Sequence, residues 1–171
     1  MASFELAIAF VLPLEDTHPS GKVTVDSDGT TRFGLLSVWH ADLVQEGFYT
    51  MPAEQAIILA KACYRAQYWE PIQGDSITSN VVAAQLLSIA VNDGLGTAVK
   101  MAQQTVGLSP DGIFGPQTLM AVNAMNPNQF LNSFGAEAKA HYRAIVAEYP
   151  AKVVDLQGWI NRVNLISTFK G

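Results

Sequence analysis

The sequence predicts a mainly α protein of the α+β kind, a helical body with one small β-hairpin near the N-terminus. Three observations carry that prediction. Apolar residues recur at helical spacing in nearly every segment beyond residue 35. A single stretch, Lys22 to Phe33, alternates apolar and polar side chains instead. Composition is the third: 171 residues at 49% hydrophobic and 15% charged can bury a full core and are not those of a disordered chain.

Phe4, Ala7, Ile8, Val11 and Leu12 share one face of a first helix, which Pro13 is expected to close. Val23 and Val25 begin the hairpin, Asp28-Gly29 marks its turn, and Thr30 to Phe33 returns as the second strand. Leu36 to Glu46 reads as a short helix stopped by Gly47. Thr50 is placed to cap a long helix to about Trp69, with Pro52 and Glu54 in its first turn, before Pro71 and Gly74 break the pattern. Ser79 to Asn92 is apolar almost all round, as a central buried helix must be. Gly94 and Gly96 precede a helix through Val106, with Gly107 as its C-terminal cap. Pro116 suits the first position of a helix to Met125, and Asn126-Pro127 opens a long one to about Tyr149. A last helix runs from about Asp155 to Ile166, with Leu156, Trp159, Ile160 and Val163 on one face.

Several functional classes are disfavoured. The net charge is −5 and no basic run occurs, so nucleic acid is not an expected partner. No apolar stretch reaches the roughly 18 residues of a membrane span. The first segment lacks the positive flank and cleavage pattern of a signal peptide, so synthesis in the cytoplasm without a cleaved signal is expected. Cys63, the single cysteine, lies in a helical context that suits a buried inert thiol. His18, His40 and His141 share no metal-ligand spacing, and no serine-hydrolase, zinc-protease or phosphate-loop pattern occurs. Asp26, Asp28 and Thr30 have the oxygen spacing of a calcium loop, but Thr31 stands where that loop needs glycine and Ser37 where it needs glutamate. No metal and no cofactor are expected.

Glu15, Asp26 and Thr31 are the residues that suggest chemistry. Each has an ordinary alternative: a solvated acid, a turn residue and a strand threonine. Together they place a carboxyl on a helix end opposite a carboxyl and a hydroxyl on a hairpin. A glycosidase needs such a set, with one carboxyl neutral to protonate the leaving oxygen and the other charged. Partial burial behind an apolar helix would favour the neutral form of Glu15. Tyr64, Tyr68 and Trp69 follow at about one helical turn, which suits core packing or the wall of a sugar cleft.

The order Glu15, then D-S-D-G-T-T-R-F-G-L from Asp26 to Leu35, resembles the family 108 glycoside hydrolases. These are lysozyme-like N-acetylmuramidases of phage endolysins and secretion-activating proteins, with an E-G-G-Y motif followed by D-x-G-G-x-T-x-x-G-I. Asp26, Gly29, Thr31 and Gly34 match that motif, whereas Glu15 is followed by Asp-Thr-His and Asp28 replaces the first paired glycine. Gln67 to Trp69 resembles the family's Y-W helix end, and Ala90 to Gly94 its A-V-N-x-G segment. Downstream, Ala98 to Gln103 and the D-G-I-F-G-P-Q-T run from Asp111 to Thr118 resemble the associated peptidoglycan-binding domain.

The resemblance implies a lysozyme-like fold, with the hairpin edging a cleft. It implies a catalytic region over residues 1–94 and a helical peptidoglycan-binding region over 95–171, packed as one unit. Glu15 would be the general acid, and Asp26 with Thr31 would stabilise charge and position water in an inverting reaction. Asp28, Tyr68, Trp69 and Asn92 would contact the glycan. The implied partner is the peptidoglycan strand, met in the periplasm or cell wall after release or dedicated export. A holin, secretion machinery or an immunity protein are further candidate partners of an expected monomer. The altered residues after Glu15 also admit a non-catalytic peptidoglycan-binding protein with a degenerate site. The D-G-I-F-G-P run is expected to act mainly as a tight turn that opens a helix.

Overall fold

The computed structural model describes residues 1–16 and 20–171. Thr17 and His18, two of the residues that set this chain apart from E-G-G-Y, lie outside the described residues. Helix α1 spans Phe4–Glu15 and buries the five apolar residues expected of it. Ser3 caps it by accepting from the Leu6 N–H. Pro13 does not close the helix. A proline in the last turn forfeits one backbone bond, and the Asp16 N–H still reaches Leu12 O at 3.1 Å, so the helix continues to Glu15. Those two further residues carry the carboxylate to the helix end.

The hairpin is the first part of a three-stranded antiparallel sheet, β1 (Thr24–Asp26), β2 (Gly29–Arg32) and β3 (Leu35–Leu36). Asp26 pairs with Gly29, which puts the first turn at Ser27-Asp28, one residue earlier than expected. Arg32 pairs with Leu35, so the second turn is Phe33-Gly34. Both of its residues have positive φ, at 50° and 76°, as a type I′ hairpin turn requires. The buried guanidinium of Arg32 holds the base of the sheet, donating to the carbonyls of Gly21, Phe48 and Met51 at 2.6–2.8 Å.

A 3-10 turn at Ser37–Trp39 and helix α2 (Ala41–Gln45) replace the single short helix expected there. Helix α3 is Ala53–Tyr64, preceded by Pro52, while Thr50 turns its hydroxyl back to Gly47 O and caps nothing. The helix then widens into a π-helical turn, Arg65–Trp69. Such a turn re-aims side chains and is frequent at functional sites. Here it leaves Gln67 exposed and Tyr68 half-buried, and sends Trp69 into the core.

Helix α4 (Asn80–Asp93) is the central element, with every residue from Val82 to Ala90 buried. It packs against α1, α5 (Leu95–Thr105), α7 (Pro127–Glu148) and α8 (Val153–Leu165). The expected cap at Gly107 forms, with φ 75°, and α7 opens at Asn126-Pro127 as expected, with Asn126 Oδ1 capping it by accepting the N–H groups of Asn128 and Gln129. Among the described residues no helix is long and apolar enough to cross a membrane.

The D-G-I-F-G-P segment leads into α6 (Pro116–Ala124) and is threaded by the buried side chain of Gln103. Its Nε2 donates to Asp111 Oδ1, Ile113 O and Thr118 Oγ1 at 2.6–3.2 Å, and its Oε1 accepts the Gly112 N–H at 3.0 Å. Gln103→Ala leaves several of these groups unpaired and should cost about 2–3 kcal/mol in denaturant unfolding. The Ile113 N–H, then the Gln103 amide, hold the Asp111 carboxyl below its ordinary range. A lowered carboxyl stabilises the fold above its unfolded value of about 3.9 and loses that contribution as pH falls through the folded value. The unfolding midpoint should therefore drop below about pH 4, and Asp111→Asn should flatten the drop.

Candidate functional site

Glu15 sits at a cleft of about 300 Å³ between the sheet and the π-helical turn. Gly34, Leu35, Leu36, Trp39 and His40 form one wall, and Tyr64, Gln67 and Tyr68 the other. Gly34 fixes the contact between them. A Cβ there would lie 2.6 Å from Glu15 Cβ and 2.7 Å from the Tyr64 hydroxyl, so only glycine lets the turn seat against the acid. The Tyr64 hydroxyl donates to Phe33 O at 3.0 Å, tying the second turn to α3. Larger cavities exist, including one of about 540 Å³ between α5 and α7, so volume does not single out the cleft. Its helix-end carboxylate beside exposed aromatic groups does.

Arg162 of α8 reaches Glu15 from the far end of the chain, with Nη2 at 2.6 Å from Oε1. Both side chains are mostly buried, at 12% and 17% exposure, which makes the pair far less screened than a surface salt bridge. The contact is an ion pair without aligned hydrogen-bond geometry at Oε1. Longer bonds from Arg162 to Ser88 O and Leu14 O, at 3.3 and 3.4 Å, orient the guanidinium. Burial, and then the charge of Glu15, push the Tyr64 phenol far up. Tyr68 is raised too, first by burial, so both phenols are neutral donors. Cys63 lies 3.8 Å from His40 Nδ1, a pairing that suggests a nucleophile. Burial and then Asp42 push its thiol up to about 11, so it holds no thiolate at neutral pH.

The structure brings Glu15 and Tyr68 into one cleft and distributes the other candidates around it. Asp26 is exposed at the first turn, where Oδ1 accepts the N–H groups of Asp28 and Gly29 at 2.9 and 3.2 Å. Thr31, half-buried, pairs with Thr24 and with Leu36, and Leu36 lines the cleft. The first turn leans toward the same lip: a Cβ on Gly29 would come within 3.3 Å of Val38, the neighbour of Trp39. Asp28 is exposed and bonded by the Ser27 hydroxyl. Trp69, expected as a glycan contact, is a core residue. It has no exposed surface, packs edge-on against Phe4, and donates through Nε1 to Asp75. Asn92 donates to the Tyr142 hydroxyl at 2.9 Å and lines a separate recess of about 250 Å³ with Arg162 and Trp159.

Two cleft residues and one partner of Glu15 escape the sequence patterns. Trp39 is 80% exposed on the rim, although its short segment reads as an ordinary helix. Gln67 is turned outward by the π-helical turn. Arg162 is separated from Glu15 by most of the chain, and no local pattern links them. An aromatic residue in a polar flank, S-V-W-H, is the one signal that marks Trp39 in advance.

Residues 20–94 match the glycosyl hydrolase 108 family. Residues 97–164 match the family described as a predicted peptidoglycan domain. The first match begins five positions beyond Glu15. No curated protein matches the chain by sequence. Among solved structures, SagA of Brucella abortus is similar over 96% of this chain and 91% of its own, at 26% identity and a TM-score of 0.71. The lysozyme-like, mainly α architecture is the one expected from the sequence. The chain thus joins a glycosyl hydrolase 108 domain to a peptidoglycan domain, and it is a glycoside hydrolase acting on peptidoglycan.

Proposed function

We propose that the chain is an N-acetylmuramidase that cleaves the β-1,4 bond between N-acetylmuramic acid and N-acetylglucosamine, with Glu15 as general acid. The supporting observation is the seating of Glu15 at the cleft against Gly34 and Tyr64. A carboxyl so held can meet a glycosidic oxygen in a fixed direction. The ion pair with Arg162 is made by the carboxylate, whereas donation needs the acid. Glu15 must therefore leave Arg162 and take up a proton from solvent before it donates to the glycosidic oxygen.

Asp26 stabilises the oxocarbenium charge and, with Thr31, positions the attacking water. Oδ1 of Asp26 is engaged by the turn, which leaves Oδ2 for this task. Inversion requires the two carboxyls to stand roughly 6.5–9.5 Å apart in the complex. Trp39, Gln67 and Tyr68 receive the sugar faces and amides. Trp39→Ala should raise KM about tenfold with little change in kcat, because a rim contact binds substrate and transition state alike. The protein works as a monomer at the cell wall, in the periplasm after release or dedicated export. Mass analysis of the products tests the assignment. Muropeptides with reducing muramic-acid ends are expected, and reducing glucosamine ends would overturn the bond specificity.

A second reading, a peptidoglycan binder without catalysis, draws on the Arg162 contact and on the altered residues after Glu15. Turbidity of a purified peptidoglycan suspension separates the two. Clearing supports the enzyme, while binding without soluble fragments supports the binder.

A further inference from the structure

The C-terminal helices enclose a recess of about 340 Å³ that shares no lining residue with the Glu15 cleft. Gln85 of α4 forms part of its base, and Asn128, Asn132 and Lys139 line it from α7. Asn164 and Ser167 close the side formed by α8 and the turn after it. The volume lies at the small end of ligand pockets, which run from about 300 to 1,000 Å³. It suits a short segment of a larger molecule.

Gln85 and Ser88 are the two polar residues in the buried run of α4, and of the two only Gln85 lines this recess. It is 2% exposed, and its Oε1 is buried with no hydrogen-bond partner among the described residues. Buried acceptors in native proteins are almost always paired, so an orphan at the base of a recess points to a donor supplied from outside. Gly135 keeps the space beside it open. A Cβ at that position would come within 3.3 Å of Val163 and 3.5 Å of the Gln85 carboxamide nitrogen. The Asn128, Asn132 and Asn164 side chains and the Lys139 ammonium make no hydrogen bond or ion pair with another described residue. Four carboxamides and one cation are thus presented together.

Those groups call for a ligand with amide N–H groups for Gln85, amide carbonyls for the asparagines and a carboxylate for Lys139. A glycan strand that carries its stems offers hydroxyls and acetamides but no free carboxylate, because each muramic-acid lactyl carboxyl is tied up in the amide to a stem. A short peptide with a free carboxylate offers all three. We propose that this recess binds the peptide stem of peptidoglycan, apart from the cleft that takes the glycan strand. The proposal rests on peptidoglycan being the substrate. It gives the C-terminal region a contact that would hold the protein on cross-linked wall while the cleft engages a strand.

Amide NMR of the full chain tests it with two soluble probes, the free stem tetrapeptide and an N-acetylglucosamine oligomer. The tetrapeptide should shift the Gln85 side-chain amide and the backbone amides of Asn132, Gly135, Lys139 and Asn164. The oligomer should instead shift Tyr68 and the Trp39 indole. Asn132→Trp, on an exposed position, and Lys139→Glu should each weaken tetrapeptide binding at least tenfold and leave oligomer binding unchanged. No tetrapeptide shifts, shifts confined to the Glu15 cleft, or binding indifferent to both variants would overturn the proposal and leave Gln85 to water alone. Release of fragments from peptidoglycan by the same wild-type sample reports the hydrolase separately. A chain that clears peptidoglycan but ignores the tetrapeptide sinks only this inference, and one that binds the tetrapeptide without clearing sinks only the muramidase.

Discussion

Glu15→Gln is expected to slow peptidoglycan clearing by about 10²–10⁴-fold, the range a positioned general acid contributes. Glutamine keeps the shape of the side chain and its reach to Gly34 and Tyr64, but has no proton to give a leaving oxygen. The exchange also removes one partner of the mostly buried ion pair and leaves the Arg162 guanidinium without its counter-charge. Some loss of stability is therefore expected beside the loss of rate. The two effects separate by measurement. Far-ultraviolet circular dichroism should stay helical, and the variant should still sediment with peptidoglycan. Full activity in Glu15→Gln would remove the residue from catalysis.

Gly34→Ala should be nearly as damaging, although Gly34 carries no chemistry. An L-residue at φ 76° is strained by about 1–2 kcal/mol, and the new Cβ would overlap both Glu15 and Tyr64. The second turn or the end of α1 must shift, and a displacement of about 1 Å at a reacting group can cost 10²-fold in rate. Gly47 provides the control. It has a similar φ of 73°, but a Cβ there meets nothing closer than Thr50 Oγ1 at 3.6 Å. Gly47→Ala should lose comparable stability and keep its activity. Equal loss of activity in both variants would mean that strain alone, rather than contact with Glu15, makes Gly34 necessary.

Much of this architecture is legible in the sequence because local physics dictates it. The buried face of α1, the all-round burial of α4, the cap at Gly107 and the opening of α7 at Asn126-Pro127 follow from spacing and from cap chemistry. The turn role of D-G-I-F-G-P is readable too, although the part played by Gln103 beneath it is not. Departures arise where tertiary contacts outweigh local pattern. Strand β3 has two residues, too few to show alternation, and exists because the Phe33-Gly34 turn folds it onto β2. A tyrosine, then a tryptophan, at the end of α3 look equivalent as sequence. The π-helical turn sends one to the cleft and the other to the core.

For the site, Glu15 is legible from its helix-end position and from a family resemblance in the segment that follows. Asp26 is legible both as a turn residue and as a candidate acid, and the structure displays its turn bonds directly. Arg162 is invisible beforehand, since a contact between residues 15 and 162 depends on how α8 returns across α4. That return makes the acid dependent on the C-terminal region as well as on the hairpin.

The most direct test is reducing-end release from purified peptidoglycan by wild type and Glu15→Gln side by side, with products identified by mass. Muramic-acid reducing ends from the wild type and almost none from the variant are predicted. Equal release by both proteins, or soluble fragments without new reducing ends, would contradict Glu15 as the acid of a muramidase.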